Sequence, residues 1–133
     1  MLINKLIGNI ALMTSKNNPF ADHLFIEPFL GEVPKINATA FIAKSAAIIG
    51  AVEIGEDCSI WHHTTLRGDA NYIQIGKGTN IQDNSVVHID SAKFPTRIGD
   101  YVTIGHSAII HACTQMGLAA KALSLIGYED ESE

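Results

Sequence analysis

An aliphatic residue recurs at every sixth position through the middle of the chain. Thirteen six-residue segments begin with Ile, Leu, Val or Met, the first at Ile36 and the last at Met116. Three extra residues interrupt the series before Ile75, and five interrupt it before Ile98. A period of six matches neither the face of a helix nor the alternation of a strand. It is typical of a β-solenoid in which each segment forms one short side of a triangular coil.

Three such segments close one coil, so segments three apart are predicted to stack at a spacing of about 4.8 Å. Glycine and small polar residues at the corners allow the chain to turn. The alternative is an ordinary β-sandwich whose isoleucines share this register by coincidence. The stacking predicts three columns of inward-facing residues, which start at Ile48, Leu66, Val87 and Ile110; at Ile42, Ile60, Ile81 and Ile104; and at Ile36, Ile54, Ile75, Ile98 and Met116.

The repeat divides the chain into three parts. Residues 1–34 form an N-terminal arm, residues 35–117 form the solenoid domain, and residues 118–133 form a C-terminal tail. Residues 118–128 combine helical spacing with good helix formers, so we expect a short helix that caps the open end of the solenoid. A terminal repeat needs such a cap because a bare coil edge exposes unpaired backbone groups.

Charge and composition exclude several classes of partner. The 133 residues suffice for one domain, and the net charge of −5 with only 9 Lys and Arg argues against nucleic acid or an acidic membrane surface. No apolar run is long enough to span a bilayer. Cys58 and Cys113 form no metal-binding or redox pair by spacing, so we expect reduced thiols, a reducing compartment and a cytoplasmic location.

Polar residues at equivalent positions of the repeat predict a shared metal site. Arg67, His88 and His111 each follow the inward residue of the first column, so they are expected to stack on one face. His106 belongs to the second column and lies around a corner. A homotrimer could bring it to the other two histidines of a neighbouring subunit. Three imidazoles with an open fourth position suit catalytic Zn²⁺, and Fe²⁺ or Co²⁺ could use the same ligands.

Two segments, "IWHHTTLRGDANYIQIGKGTNIQDNSVVHID" and "TRIGDYVTIGHSAIIHACT", resemble the gamma-class carbonic anhydrases. These are hexapeptide-repeat proteins whose fold is a left-handed parallel β-helix. The resemblance covers roughly residues 36–114 and rests on the motifs LRGD, TNIQD, VVH and IGHSAIIHAC. It implies that His88, His106 and His111 are metal ligands, with His106 donated across the subunit interface.

The same resemblance implies further roles. Arg67 and Asp69 match a pair that bridges subunits and shapes the site, and Gln82 matches the residue that hydrogen-bonds the metal-bound water or the substrate. Asn80 and Asp83 match neighbouring polar positions. The implied reaction is the reversible hydration of CO₂ to bicarbonate by a metal-bound hydroxide at the trimer interface.

The sequence departs from the family in three places. The N-terminal arm through about Pro34 is not the usual start of the family. The loop between Val87 and Ile98 is short and contains Asp90 but no glutamate, so the family's acidic proton shuttle has no clear counterpart. Asp90, His62 and His63 are the available shuttles, although we expect His62 and His63 at the surface or an interface because they match no ligand position. The family repeat continues beyond the point that corresponds to Met116, so we interpret the chain as a truncated or divergent member.

Two other functions stay open from the sequence. A hexapeptide-repeat acyltransferase would use coenzyme A and one histidine as a base, without a metal. A non-catalytic member of the same family would have an assembly role.

The histidines also have a purely structural interpretation. They could be polar residues whose hydrogen bonds are satisfied within a packed interface, and His23 in the arm is expected on the surface.

Overall fold

The computed structural model describes residues 25–112 and the backbone of residues 114–115. The expectations for His23, Cys113 and the helical tail lie outside these residues. Within the described part of the chain there are twelve strands: β1 Ile26–Glu27, β2 Lys35–Ile36, β3 Phe41–Ile42, β4 Ala47–Ile54, β5 Ser59–Ile60, β6 Thr65–Ile75, β7 Asn80–Ile81, β8 Val86–His88, β9 Thr96–Ile98, β10 Thr103–Ile104, β11 Ile109–His111 and β12 Thr114–Gln115.

All of the strand pairs are parallel and form the three faces of a solenoid of about four turns. The first face runs β1-β4-β6-β8-β11, and the second runs β3-β5-β7-β10. The third face contains β2, the second halves of β4 and β6, then β9 and β12. The predicted stacking is confirmed through Ile110. Leu66 pairs with Ile48 and Val87, Ile81 pairs with Ile60 and Ile104, and Val87 pairs with Ile110. The β-solenoid interpretation is therefore confirmed.

The inserted residues bulge out at the corner between the first and third faces. Gly50 pairs with Gly68, but the next pair is Val52 with Ile73, so β6 has three residues more than β4. At this bulge a Cβ on Gly68 would lie 2.5 Å from the carbonyl oxygen of Ala51. Only glycine therefore allows the two backbones to approach this closely.

The structure corrects the register at the end of the repeat and adds a strand at its beginning. Gln115, rather than the predicted Met116, is the partner of Ile98, so the step from Ile110 to this position is five residues instead of six. In the predicted arm, β1 pairs with the start of β4 and adds one more rung to the first face. The period of six did not reveal β1, because "IEPFLGEVPK" has no regular segment before Ile36.

The core is a stack of aliphatic side chains inside the prism. Hydroxyl groups at the corners satisfy carbonyls of the next coil: Thr64 donates to Gln82, Thr79 to Gly99 and Ser85 to Gly105. None of the described residues forms a helix long and apolar enough to cross a membrane. The largest fully buried side chains are Ile48, Ile54, Ile60, Leu66, Ile73, Ile75, Ile81, Ile89, Ile104, Val52, Val87 and Val102.

Cys58 is a free thiol inside this core. It is 2% exposed, and its Sγ donates to the carbonyl of Gly76 at 2.9 Å. Burial raises the pKa of the Cys58 thiol. The thiol form is therefore the stable one, as expected for a reduced core cysteine.

Ile81 lies in the middle of the second column and is fully buried. We expect Ile81→Ala to lower the free energy of unfolding by about 3 kcal/mol, because the stacked coils cannot collapse into the cavity. Urea unfolding monitored by circular dichroism measures this. The control is Leu30→Ala, since Leu30 is 83% exposed. An equal loss in both variants would contradict the assigned core.

Candidate functional site

The outer row of the first face brings together three of the predicted site residues. Arg67 pairs with His88, and His88 pairs with His111, in the parallel register of β6, β8 and β11. Val87 and Ile110 point inward, so strand alternation turns the neighbouring side chains outward. The rings of His88 and His111 have centroids 5.3 Å apart and are inclined at 40°.

Asp69 contacts two members of this row from the corner after Gly68. Its Oδ1 lies 2.9 Å from Nε2 of His88, and its Oδ2 lies 3.5 Å from Nε of Arg67. Partial desolvation raises the pKa of the Asp69 carboxyl, but hydrogen bonds from His88 and from the N–H of Ala70 outweigh this effect. The net pKa of Asp69 lies below its usual value, so this carboxyl is ionised and holds the ring of His88 in place.

His106 lies on the corner between the second and first faces, with 69% of its side chain exposed. Its Nδ1 is 3.4 Å from Oδ1 of Asp83, which occupies the same corner one coil earlier. Among the residues that the structure describes, no three His, Cys, Asp or Glu side chains of one chain converge on a common point. His88 and His111 thus lie together, whereas His106 points away from the same prism.

Asn80 begins β7 on the second face, and Gln82 directly follows this strand. They are two residues apart on an extended segment, so their amides share the outward side. Both are half-buried, and the buried Oδ1 of Asn80 accepts no hydrogen bond within the described residues. A buried acceptor of this kind normally has a donor, so Asn80 is an exception within the described residues.

The structure separates the remaining candidates from the histidine row. His62 occupies the corner of His106 two coils earlier, and its Nδ1 lies 2.8 Å from Oγ of Ser45. His63 is exposed and adopts a positive φ of 59° at this corner. Asp90 is exposed in the loop between β8 and β9. The contact of Asp83 with His106 was missed from the sequence, although their shared position in successive segments was a usable signal.

The donor set of the three histidines fits a divalent metal of the Zn²⁺, Fe²⁺ or Co²⁺ type. His88 and His111 come from adjacent strands of a rigid face. In the observed ring orientation, Nδ1 of His88 is the nitrogen not engaged by Asp69. His106 keeps Nε2 free while Nδ1 faces Asp83. A carboxylate next to a ligand imidazole is the usual arrangement at metal sites.

Known proteins resemble this chain over part of its length. It is 51% identical over 88 residues to gamma carbonic anhydrase 1, mitochondrial, of Arabidopsis thaliana, a match that covers 62% of this chain and 32% of that protein. It is 51% identical over 78 residues to a probable carbonic anhydrase of Methanocaldococcus jannaschii, covering 59% of this chain and 48% of the relative.

Solved structures agree on the fold. A hexapeptide transferase family protein from Anaplasma phagocytophilum superposes with a TM-score of 0.62 at 56% identity, over 66% of this chain and 51% of that one. No protein-family model matches the chain. The chain spans between about a third and a half of the length of these relatives. The resemblance of the repeat to the gamma carbonic anhydrases is confirmed over the matched part.

Asp69 offers a direct test of the local geometry. We expect Asp69→Ala to lower the free energy of unfolding by about 1 kcal/mol, because His88 loses a charge-assisted hydrogen bond and Arg67 loses a partly exposed ion pair. Urea unfolding at a fixed protein concentration measures the change. Asp90→Ala is the control, since Asp90 is exposed and its hydrogen bonds with Phe94 are made by the backbone. Equal stability of the two variants would contradict a structural role for Asp69.

Proposed function

We propose that this chain, whose repeat resembles the gamma carbonic anhydrases, is a metal-dependent lyase that reversibly hydrates CO₂ to bicarbonate in a homotrimer. The observation that carries the proposal is the register of His88 on His111, with Asp69 holding the ring of His88. The relatives that bear carbonic anhydrase names support it. Because the chain spans only part of these relatives, the activity of the whole protein is itself part of the proposal.

The proposed ligands are His88 and His111 of one subunit and His106 of the next. When bound, a divalent metal supplies Lewis acidity and lowers the pKa of water towards about 7. We propose Zn²⁺, and Fe²⁺ or Co²⁺ would fit the same imidazoles. The reduced Cys58 thiol agrees with the proposed cytoplasmic location, while the Arabidopsis relative carries a mitochondrial name.

The other residues act on substrate and on geometry. Gln82 would donate a hydrogen bond from its amide and so orient water or bicarbonate, because it lies half-buried on the face next to the corner of His106. Asp69 holds His88 through Nε2, and Arg67 keeps the charge of Asp69 balanced. Asp83 restrains the exposed ring of His106. We propose that these contacts orient the imidazoles before a neighbouring subunit arrives, which would lower the entropic penalty of forming the site.

A second candidate is acyl transfer, which the transferase name of the Anaplasma structure favours. One histidine of the row would then act as a general base towards an acyl-coenzyme A donor. A non-catalytic assembly role is the third candidate. Turnover of acyl-coenzyme A without added metal would support the second, and a well-folded oligomer without metal and without turnover would support the third.

Metal content tests the shared site. We expect about one metal ion per chain in the gel-filtered trimer and at least a tenfold loss in His106→Ala, measured by elemental mass spectrometry. His62→Ala is the matched control, because His62 shares the corner with His106 but lies two coils away. A metal-free, folded wild-type oligomer would overturn the proposal.

Mixing subunits tests whether His106 acts across the interface. Chains with His106→Ala and chains with His88→Ala each lack one ligand. Mixed trimers should recover roughly a quarter of the sites, because an interface is complete when the two chain types meet in the correct order. Metal analysis after co-expression measures the recovery. If His106 served its own chain, no mixture would recover metal.

CO₂ hydration tests the reaction. We expect activity that a chelator abolishes and that the original metal restores. Gln82→Ala should lower kcat/KM by about tenfold to a hundredfold while the metal content stays unchanged, because one substrate hydrogen bond is lost. Stopped-flow measurement with a pH indicator provides both values. Metal-loaded trimer without hydratase activity would contradict the proposed reaction and leave the metal site standing.

A further inference from the structure

The first face continues past the site to the N-terminal strand β1. Ile26 pairs with Ile48 and Glu27 pairs with Ile49, so Glu27 extends the outward row that contains Arg67 and the two histidines. From β1 to β11, this face row consists of Glu27, Ile49, Arg67, His88 and His111. Phe25 precedes β1 and is 46% exposed beside the same face.

A second row follows the corner that carries His106. The third residue of each second-column segment lies there, because the strands before them stack in register. This corner row consists of Lys44, His62, Asp83 and His106, one residue from each coil. Lys44 is exposed, as is Glu27, and neither has an ion-pair partner in the part of the chain that the structure describes.

The two rows are offset by a constant amount along the prism. Each corner residue precedes a face residue by five positions, as Lys44 precedes Ile49 and His106 precedes His111. Its height therefore lies between that face residue and the one a coil earlier. In a cyclic assembly whose axis runs along the prism, equivalent residues of all copies have equal heights. His106 of one copy then lies level with the gap between His88 and His111 of the next.

The same offset sets the heights of the remaining corner residues relative to the face row of the neighbouring copy. Asp83 of one copy lies level with the gap between Arg67 and His88 of its neighbour. Lys44 lies level with the gap between Glu27 and Ile49. In such an assembly, Lys44 lies opposite Glu27, and Asp83 lies opposite Arg67. Complementary charges of this kind specify register and suppress wrong pairings.

We propose that Glu27 of one copy forms an ion pair with Lys44 of the next, so that β1 belongs to the trimer interface and locks its register. This inference rests on the proposed function, because that function puts the corner of one copy against the face of another.

A second row of outward-facing residues lies next to the face row, and its composition supports another copy of this chain as the partner of this surface. It contains Val86 at 38% and Ile109 at 49% exposure, and Phe25 extends it at the β1 end. Ala47 and Thr65 complete this row, so it is apolar at every position except Thr65. Exposed apolar residues aligned in this way often mark a protein interface.

Charge reversal tests the pair. We expect Lys44→Glu and Glu27→Lys each to weaken trimer association at least about tenfold at low ionic strength, because a like-charge contact then repeats at every interface. The double variant should restore association to within about threefold of wild type. Sedimentation velocity across a concentration series measures the trimer, and high salt should reduce the difference.

Matched controls come from the third face. Lys35 and Glu53 are exposed register partners there, away from both rows. We expect Lys35→Glu and Glu53→Lys to leave association unchanged. A wild-type chain that is monomeric or metal-free would overturn the proposed function together with this pair. Metal-loaded trimers that form equally well in all charge variants would overturn the pair alone, and so would a double variant as weak as the singles.

A cross-linking experiment tests the same pair without charge reversal, in case the charge variants fold poorly. Chains with Glu27→Cys mixed with chains carrying Lys44→Cys should be joined between subunits by a short bismaleimide reagent, because a Glu–Lys ion pair would hold the two backbones closer than the span of such a reagent. Chains with Lys35→Cys mixed with the Glu27→Cys chain are the control and should not be joined. Denaturing electrophoresis separates the linked species. Absence of the Glu27–Lys44 link in a metal-loaded trimer would overturn the proposed pair.

Discussion

The structure depends on the parallel backbone hydrogen bonds that hold each coil on the next at one register. The N–H of Trp61 donates to the carbonyl of Ile81 at 3.0 Å, and the N–H of Gln82 donates to that of Ile104 at 2.9 Å. These bonds stack the aliphatic side chains of successive coils inside the prism. The residue after each aliphatic one points outward, so these side chains stack outside the prism. A slip of one residue would exchange the two sets. The register that buries Val87 on Ile110 therefore also places His88 on His111.

The corners make this arrangement rigid enough to carry a site. Asn84 and Ser107 both adopt a positive φ, and buried hydroxyls such as Ser85 Oγ donate to carbonyls one coil away. An exposed side chain on such a corner starts from a fixed backbone. His106 can then project from the prism and still hold a defined position beside Asp83. A flexible loop at this point would lose more conformational entropy on assembly.

Carboxylates at two different corners contact the histidines. Asp69 reaches His88 across the bulge that three extra residues create in β6, and Asp83 reaches His106 along the corner. The bulge requires Gly68, since a side chain there would meet the backbone of Ala51. The insertion that interrupts the repeat thus changes the surroundings of His88. It gives Asp69 a position outside the regular columns, from which it contacts the row of Arg67 and His88.

The sequence by itself determined the coil, because every aliphatic side chain at the sixth position has one buried environment that suits it, and the period specifies which segments stack. The alignment of Arg67, His88 and His111 followed from that period alone, and so did the separation of His106. Tertiary structure decided what has no period: the pairing of β1 with β4, the register of Gln115 on Ile98, the reach of Asp69 to His88 and the buried Oδ1 of Asn80. These features depend on bulges, corner geometry and side-chain contacts between residues that are far apart in sequence. A repeat pattern records only the average coil, so such contacts appear only when the chain is folded.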